Sequence, residues 1–487
     1  MKTAHCPRLL SPTLPSANAT QRIGPLLLFL PLLLALISNG LRGAENTSGE
    51  SAEIWQVGMA KTKITPNQSI MMGGFASRRD PFRGVVHDLW VKALTIADHR
   101  GNQAVLITCD FIGFRAVNSD PICAEIMRRT GLTRDQILIN SSHTHTGPSQ
   151  AESPDKDSYL EPSQIRELFH YTEWLKTKVV DTAIASMQNL SPAYLSHDVG
   201  VAPFVMNRRE PTKRGIVLGH NPRGPADRSV PILKVADLNG VVKGIVFGAA
   251  CHNTTIPPQD NQVCGDYAGF AQLKLEETYP QAQAMFMQGC GGDAGPYPTG
   301  SLELSAQHGD TLAQEVTRIL AQDSFAPLHG PLRTEFRQID LPLQAPMTSD
   351  QITDMEQGPA QWRRWVGAKM RERHDNGDPW PMHYAAPFAV WQFGEDLTLV
   401  GLSGEVVVDY VTQLSSALGP LDLWISAYCN DVFGYLPSAR VLAEGGYETR
   451  GIYGGDRFSP QVETVVIEAV RDLATKAGRP QLIAVGP

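Results

Sequence analysis

Short runs rich in β-branched and other apolar residues recur along the chain, and each ends abruptly in a polar or glycine-rich loop. Residues 104–107 run on to Asp110, and 137–139 to Ser142-His143. Residues 244–247 give way to Cys251-His252, and 284–287 to Gly289-Cys290-Gly291-Gly292-Asp293. Residues 397–400 lead into Gly404-Glu405, and 423–425 into Asn430-Asp431. Runs of this kind predict buried strands, and in α/β sheets the loops at their carboxyl ends gather the ligand site. Six such ends can meet in one cleft.

Helical patterns fall between the strands. Asp310 is expected to cap a helix over 311–320, and Ser459-Pro460 to open a terminal helix with Val462, Val465, Val466, Ala469, Val470 and Leu473 on one face. Two segments, 91–110 and 232–252, each read strand, turn, strand, with turns at Asp98-His99-Arg100-Gly101 and Asp237-Leu238-Asn239-Gly240. Antiparallel hairpins beside α/β alternation predict an α/β fold with mixed β-sheets and flanking helices, its site in the loops at the strand ends. The proline- and glycine-rich stretch 203–231 and the segment 350–384 read as long loops near that site.

With 42% hydrophobic and 19% charged residues among 487, the chain has material for a large core. A net charge of -8 offers no basic face for nucleic acid, and no polybasic cluster appears that would hold an anionic membrane. At the N-terminus, Lys2, Arg8 and Arg22 precede an apolar run over 25–37, followed by Ser38-Asn39-Gly40. That is the layout of a signal peptide, and the run is shorter than the ~20 residues of a spanning helix and broken by prolines. Residues 1–44 are therefore expected to be a leader and 45–487 a single exported domain. Cys109, Cys123, Cys251, Cys264, Cys290 and Cys429 remain after the leader; their even number permits disulfides, and the lack of C-x-x-C spacing argues against a zinc knuckle.

The sharpest chemical signal is Ser141-Ser142-His143-Thr144-His145-Thr146-Gly147-Pro148, directly after an expected strand. Residues two apart in extended backbone face one side, so His143 and His145 can share a cleft, as metal ligands or as hydrogen-bonded structural histidines. Here the chain resembles the neutral/alkaline non-lysosomal ceramidase family over about 57–477. The opening Val57-Gly58 through Lys63-Ile64-Thr65-Pro66 is similar to the family's V-G-x-x-x-x-D-I-T-P; Met72-Gly73-Gly74-Phe75 and His87-Asp88-Leu89 follow, and H-T-H-T-G-P is similar to T-H-T-H-S-G-P.

That resemblance implies a zinc ion held by His143, His252 in Ala250-Cys251-His252-Asn253, Glu405 in Ser403-Gly404-Glu405 and Tyr435 in Gly434-Tyr435-Leu436-Pro437. It implies catalytic roles for His145, Arg208 and Tyr447, with Asp293 and Gly295 against the substrate. Mixed His and carboxylate ligands suit a catalytic zinc, whose activated water would cleave the amide of a ceramide-like N-acyl lipid. The implied partner is a lipid or other small molecule, with peripheral contact to membrane lipid. Two departures bear on this. The family's G-D-x-S-P reads Gly292-Asp293-Ala294-Gly295-Pro296, with glycine in place of the serine, and the family's C-terminal immunoglobulin-like domain is not expected within 45–487. Another amide, an ester, a carbohydrate derivative, or a binding role without turnover therefore stay open.

Overall fold

The computed structural model describes residues 53–480 apart from 157, 323 and 454, so the expected leader over 1–44 lies outside the described residues. Both expected hairpins form. Trp90–Ala97 and Gln103–Cys109 pair antiparallel around a turn in which the Asp98 carboxylate accepts the N–H groups of Arg100 and Asn102. Ser229–Asp237 and Val242–Ala249 repeat the device, with Asp237 accepting from Asn239 and Val241. Aspartate opens both turns because its side chain satisfies backbone donors two residues on.

The hairpins join one nine-stranded sheet. Its main path runs Gln283–Gln288, Val242–Ala249, Ser229–Asp237, Ser191–Val201, Ile54–Lys63, Trp90–Ala97, Gln103–Cys109 and Ile137–Ser141. Both ends of that path are parallel pairs, while the interior is antiparallel. A second sheet orders Leu332–Pro342, His383–Phe393, Leu397–Gly401 and Leu423–Ser426, and its last pair is again parallel.

The two sheets pack face to face. Leu106, Leu138, Val246 and Met285 of the first sheet share one core with Trp391, Phe393, Leu399 and Trp424 of the second. The outer face of the first sheet is covered by Ala116–Thr130 and Pro162–Gln188 at one end and by Asp266–Thr278 and Leu302–Leu320 at the other. Asp409–Leu418 and Val462–Ala477 cover the second. The result is a four-layer α/β/β/α arrangement, each layer burying one apolar face. Strand ends of the two sheets are pinned together by the buried Asn140. Its Nδ2 donates to the Ala427 carbonyl (2.7 Å) and to Ser426 Oγ (3.1 Å), and its Oδ1 accepts the Gln288 N–H (2.9 Å).

Three local expectations are corrected. The segment 203–231 is not a loop but the hairpin Val205–Thr212 and Gly215–Asn221, whose edge position leaves Val217 and Leu218 exposed and blurs the alternation. The segment 350–384 contains helices Ser349–Glu356 and Gln361–Asn376; charged residues hide the stripe Trp362, Trp365, Val366 and Met370 that packs on the first helix. Asp310 caps nothing, because the helix begins at Leu302 behind Ser301, whose hydroxyl accepts the Leu304 N–H. All six described cysteines are buried and unpaired. Among the described residues no helix is long and apolar enough to cross a membrane.

Candidate metal centre and cleft

The parallel strand pairs deliver their carboxyl ends to one place. After Ile137–Ser141 the backbone turns sharply: Ser142 N–H bonds the Cys109 carbonyl, His143 N–H bonds the Phe111 carbonyl, and His143 itself sits at φ 60°. A non-glycine residue in the left-handed region is uncommon and strained, and Tyr428 (φ 55°) and Asn430 (φ 63°) nearby share it. Gly404, at φ +83°, permits the turn before Glu405, and a Cβ there would lie 2.6 Å from Phe433.

His143, His252 and Glu405 are buried together. The Nδ1 of His143 lies 2.6 Å from the Ile112 carbonyl, and the Nδ1 of His252 lies 2.6 Å from the Gly291 carbonyl. A carbonyl only accepts, so each Nδ1 carries a proton, and in the neutral ring Nε2 is left as the acceptor. Those Nε2 atoms converge on one carboxylate oxygen: Glu405 Oε2 is 2.9 Å from His252 and 3.3 Å from His143. His145 Nε2 approaches His143 Nε2 to 3.1 Å, while its own Nδ1 is buried without a partner. The three histidines offer ligand atoms within 4.8 Å of one another and can hold a metal ion.

Charge follows this geometry. Burial, aided by the neighbouring positive groups, holds His145 well below the ordinary imidazole range, and burial with the nearby Arg208 lowers His252 to about 4. Burial alone would raise the Glu405 carboxyl, but His143 and His252 outweigh it and keep it well below the usual value. Burial and the Glu405 charge push the Tyr435 phenol well up.

Arg208 is the arginine that reaches the site, donating to the Tyr435 hydroxyl (2.9 Å) and to Glu448 (3.0 Å). Arg209 turns away into a buried brace with Glu448, Glu444 and the Gly445 carbonyl. Tyr435 stacks on His252 at 6.4 Å between ring centroids, and Tyr447 stands edge-on to Tyr435 at 5.5 Å. Six of the residues singled out from sequence, His143, His145, His252, Glu405, Tyr435 and Tyr447, line or floor one cleft, with Arg208 behind Tyr435.

Asp293 and Gly295 are placed otherwise. The buried Asp293 carboxylate accepts the Val408 N–H (2.8 Å) and faces Asn207 Nδ2 (3.3 Å), so it braces the loop rather than lining the cleft. Burial raises it to about 7. Gly295 lies in the short strand Ala294–Pro296, and a Cβ there would meet nothing within 4 Å.

Two contacts were not read from sequence. The Tyr453 hydroxyl donates to Glu405 Oε1, and the Tyr428 ring packs 4.6 Å from His143. Only their nearness to Tyr435 and Asn430 in the chain hints at them.

The cleft encloses about 1040 Å³. Its walls include Met72, Phe75, Ile112, Ile216, Met355 and Trp362, brought from the N-terminal segment, the turn after Gln103–Cys109 and the two segments that sequence had suggested were loops.

No protein-family profile matches the chain. Neutral ceramidase A of Dictyostelium discoideum is 20% identical over 264 residues, 51% of this chain. The match spans only 35% of that relative's length. The crystal structure of neutral ceramidase from Pseudomonas aeruginosa superposes with a TM-score of 0.68 at 18% identity, covering 90% of this chain and 77% of that one. A ceramidase complexed with C2 gives a TM-score of 0.68 at 16% identity, with the same coverage. The resemblance to neutral ceramidases read from the motifs is thus present in sequence and in fold.

Proposed function

We propose that this chain is a zinc-dependent amide hydrolase of the neutral ceramidase type, with His143, His252 and Glu405 as ligands and Tyr435 completing the set. The observation that carries this reading is the convergence of two bare Nε2 atoms on a carboxylate oxygen. With both rings neutral, these acceptors lie 2.9 and 3.3 Å from the carboxylate oxygen with no proton between them, an arrangement that a bound cation relieves. Fixing each histidine through its Nδ1 is what metal sites use to aim Nε2, and a histidine and carboxylate set suits zinc. When bound, the metal supplies Lewis acidity toward a carbonyl oxygen and a water acidic enough to attack near neutral pH.

The remaining work falls to the protein. Arg208, anchored by Glu448, and Tyr447 are positioned to stabilise an oxyanion developing above Tyr435. His145 lines the cleft beside His143, and burial, which holds it below the ordinary imidazole range, favours the uncharged ring that can hold or pass a proton at Nε2. Tyr453 fixes Glu405 through Oε1 and leaves Oε2 for the centre. The apolar side chains Met72, Phe75, Ile112 and Trp362 along the cleft wall give an acyl chain a place to lie.

Metal analysis of the purified full chain, with a screen of ceramides, simple amides and esters before and after chelation, tests the proposal. About one zinc per chain and turnover lost with chelator and restored by zinc are expected. Undiminished turnover in the metal-free protein would overturn it. Export remains part of the proposal on the strength of residues 1–44; an intact N-terminus on protein recovered from a secreting host would refute that part.

A further inference from the structure

The cleft over the histidines carries more positive charge than its ion pairs consume. Arg78, Arg363, Arg450 and Arg457 line it, and among the described residues none has a carboxylate at ion-pair distance. Arg115 and Lys156, by contrast, are matched by Asp431 and Glu152. Of the acids in the lining, Glu152 is thus occupied and Glu405 belongs to the histidine cluster, which leaves Asp354 against four arginines. The chain as a whole is net -8, so this local excess opposes the average. A low-dielectric cleft of one sign concentrates ligands of the other.

Arg450 stands beside Tyr447 at the edge of the site. Its guanidinium lies 4.0 Å from the Tyr447 ring and 5.9 Å from the Trp362 ring, while Arg208 reaches the same Tyr447 at 5.7 Å. A guanidinium stacked by its faces keeps its N–H edge for a planar oxyanion. Arg78 sits against the other wall, buried over Phe75 (4.9 Å), with one nitrogen on the Gly73 and His145 carbonyls and with Nε and Nη2 unpartnered. Asp260 attracts this cation only from beyond ion-pair distance, and burial lowers its pKa to about 10, so it adds to the positive potential beside His145.

We propose that the amide taken by this site is acidic: it carries an oxyanion, carboxylate or phosphate, close to the scissile bond, and Arg450 binds that group. An N-acylated amino acid has this chemistry; an uncharged sphingoid amide does not. The proposal rests on the hydrolase reading of the same site and narrows its substrate class.

The test uses the zinc-loaded full chain with three amides of one acyl length below their micellar concentrations: N-lauroylglycine, N-lauroyl phosphoethanolamine and the neutral N-lauroylethanolamine. At low salt, kcat/KM for an anionic amide should exceed the neutral one by at least tenfold. Added salt should shrink that ratio, Arg450→Met should bring it toward one, and Arg450→Lys should keep most of it. Whichever anionic amide leads identifies carboxylate or phosphate. A wild-type ratio near one, or a ratio unmoved by Arg450→Met, overturns the proposal. If none of the three is cleaved, calorimetric binding of the same compounds decides the charge, and the hydrolase reading stands or falls on the wider screen of ceramides, amides and esters. Tenfold tighter anion binding that Arg450→Met abolishes sustains it; equal binding of all three overturns it.

Discussion

Glu405→Gln separates the metal from the fold. The exchange keeps volume, and the new amide can still accept from Tyr453 through its Oε1 while its N–H donates to His252 Nε2, 2.9 Å from the atom replaced. Without metal, one acceptor clash becomes a hydrogen bond, so the metal-free variant should match the metal-free wild type within about 1 kcal/mol or exceed it. The carboxylate ligand, however, is gone. Zinc at a hundred times its dissociation constant stabilises a folded protein by about 2.7 kcal/mol. A chain of this size unfolds with an entropy near 0.9 kcal/mol/K, so the wild type should gain roughly 3 °C in Tm. Thermal melts of chelated protein, repeated with zinc, measure both halves. Glu405→Gln should shift by less than about 0.5 °C and lose hydrolysis. A variant that kept the full zinc shift, or a wild type that showed none, would refute the assignment of Glu405 as a ligand.

Gly295→Ser should fold with stability within about 0.5 kcal/mol of wild type, because its Cβ enters open space and its φ is not in the left-handed region. If the missing hydroxyl limits ceramide hydrolysis, the variant turns over ceramide faster than wild type; equal rates assign that position no part in the reaction. Asn140→Ala strands the Gln288 N–H in the interior and leaves the Ala427 carbonyl only the weak Cys429 thiol, so it should cost about 1–3 kcal/mol in urea unfolding, with no measurable loss contradicting the pin between the sheets. Asp293, raised by burial to about 7, holds its proton in the folded chain and loses it near 3.8 when unfolded. Its contribution is therefore full below about pH 4 and lost as pH rises through about 7, at most about 4 kcal/mol by linkage. The stability difference between wild type and Asp293→Asn should fall across that window; a difference independent of pH would show that Asp293 is ionised in the folded state.

Much of the site was legible in the chain because it depends on local rules. Short apolar, β-branched-rich runs ending in polar loops mark strand ends, and residues 137–143, 244–252 and 397–405 proved to be such ends. The strand end at Asp110 joins the site through Ile112, whose carbonyl holds His143, but the Asp110 carboxylate does not, being held by Trp90 and Gln272. The insertion helices escaped because a charge-rich amphipathic stripe between prolines resembles a loop until it has something to pack on.

What tertiary structure alone decided is which ends meet and how each group is aimed. No spacing in the sequence says that Glu405 Oε2 lies between two Nε2 atoms; that follows from the sheet order and the Asn140 bonds. Asp293 reads as a site residue by motif, yet the fold spends its oxygens on Val408 and Asn207. Arg208 and Arg209 are indistinguishable as neighbours in sequence, but alternate side chains of an extended strand face opposite ways, so one reaches Tyr435 and the other the Glu444 brace. Residue identity supplied the donors and acceptors; their mutual directions arise only from long-range packing, which brings together atoms hundreds of positions apart.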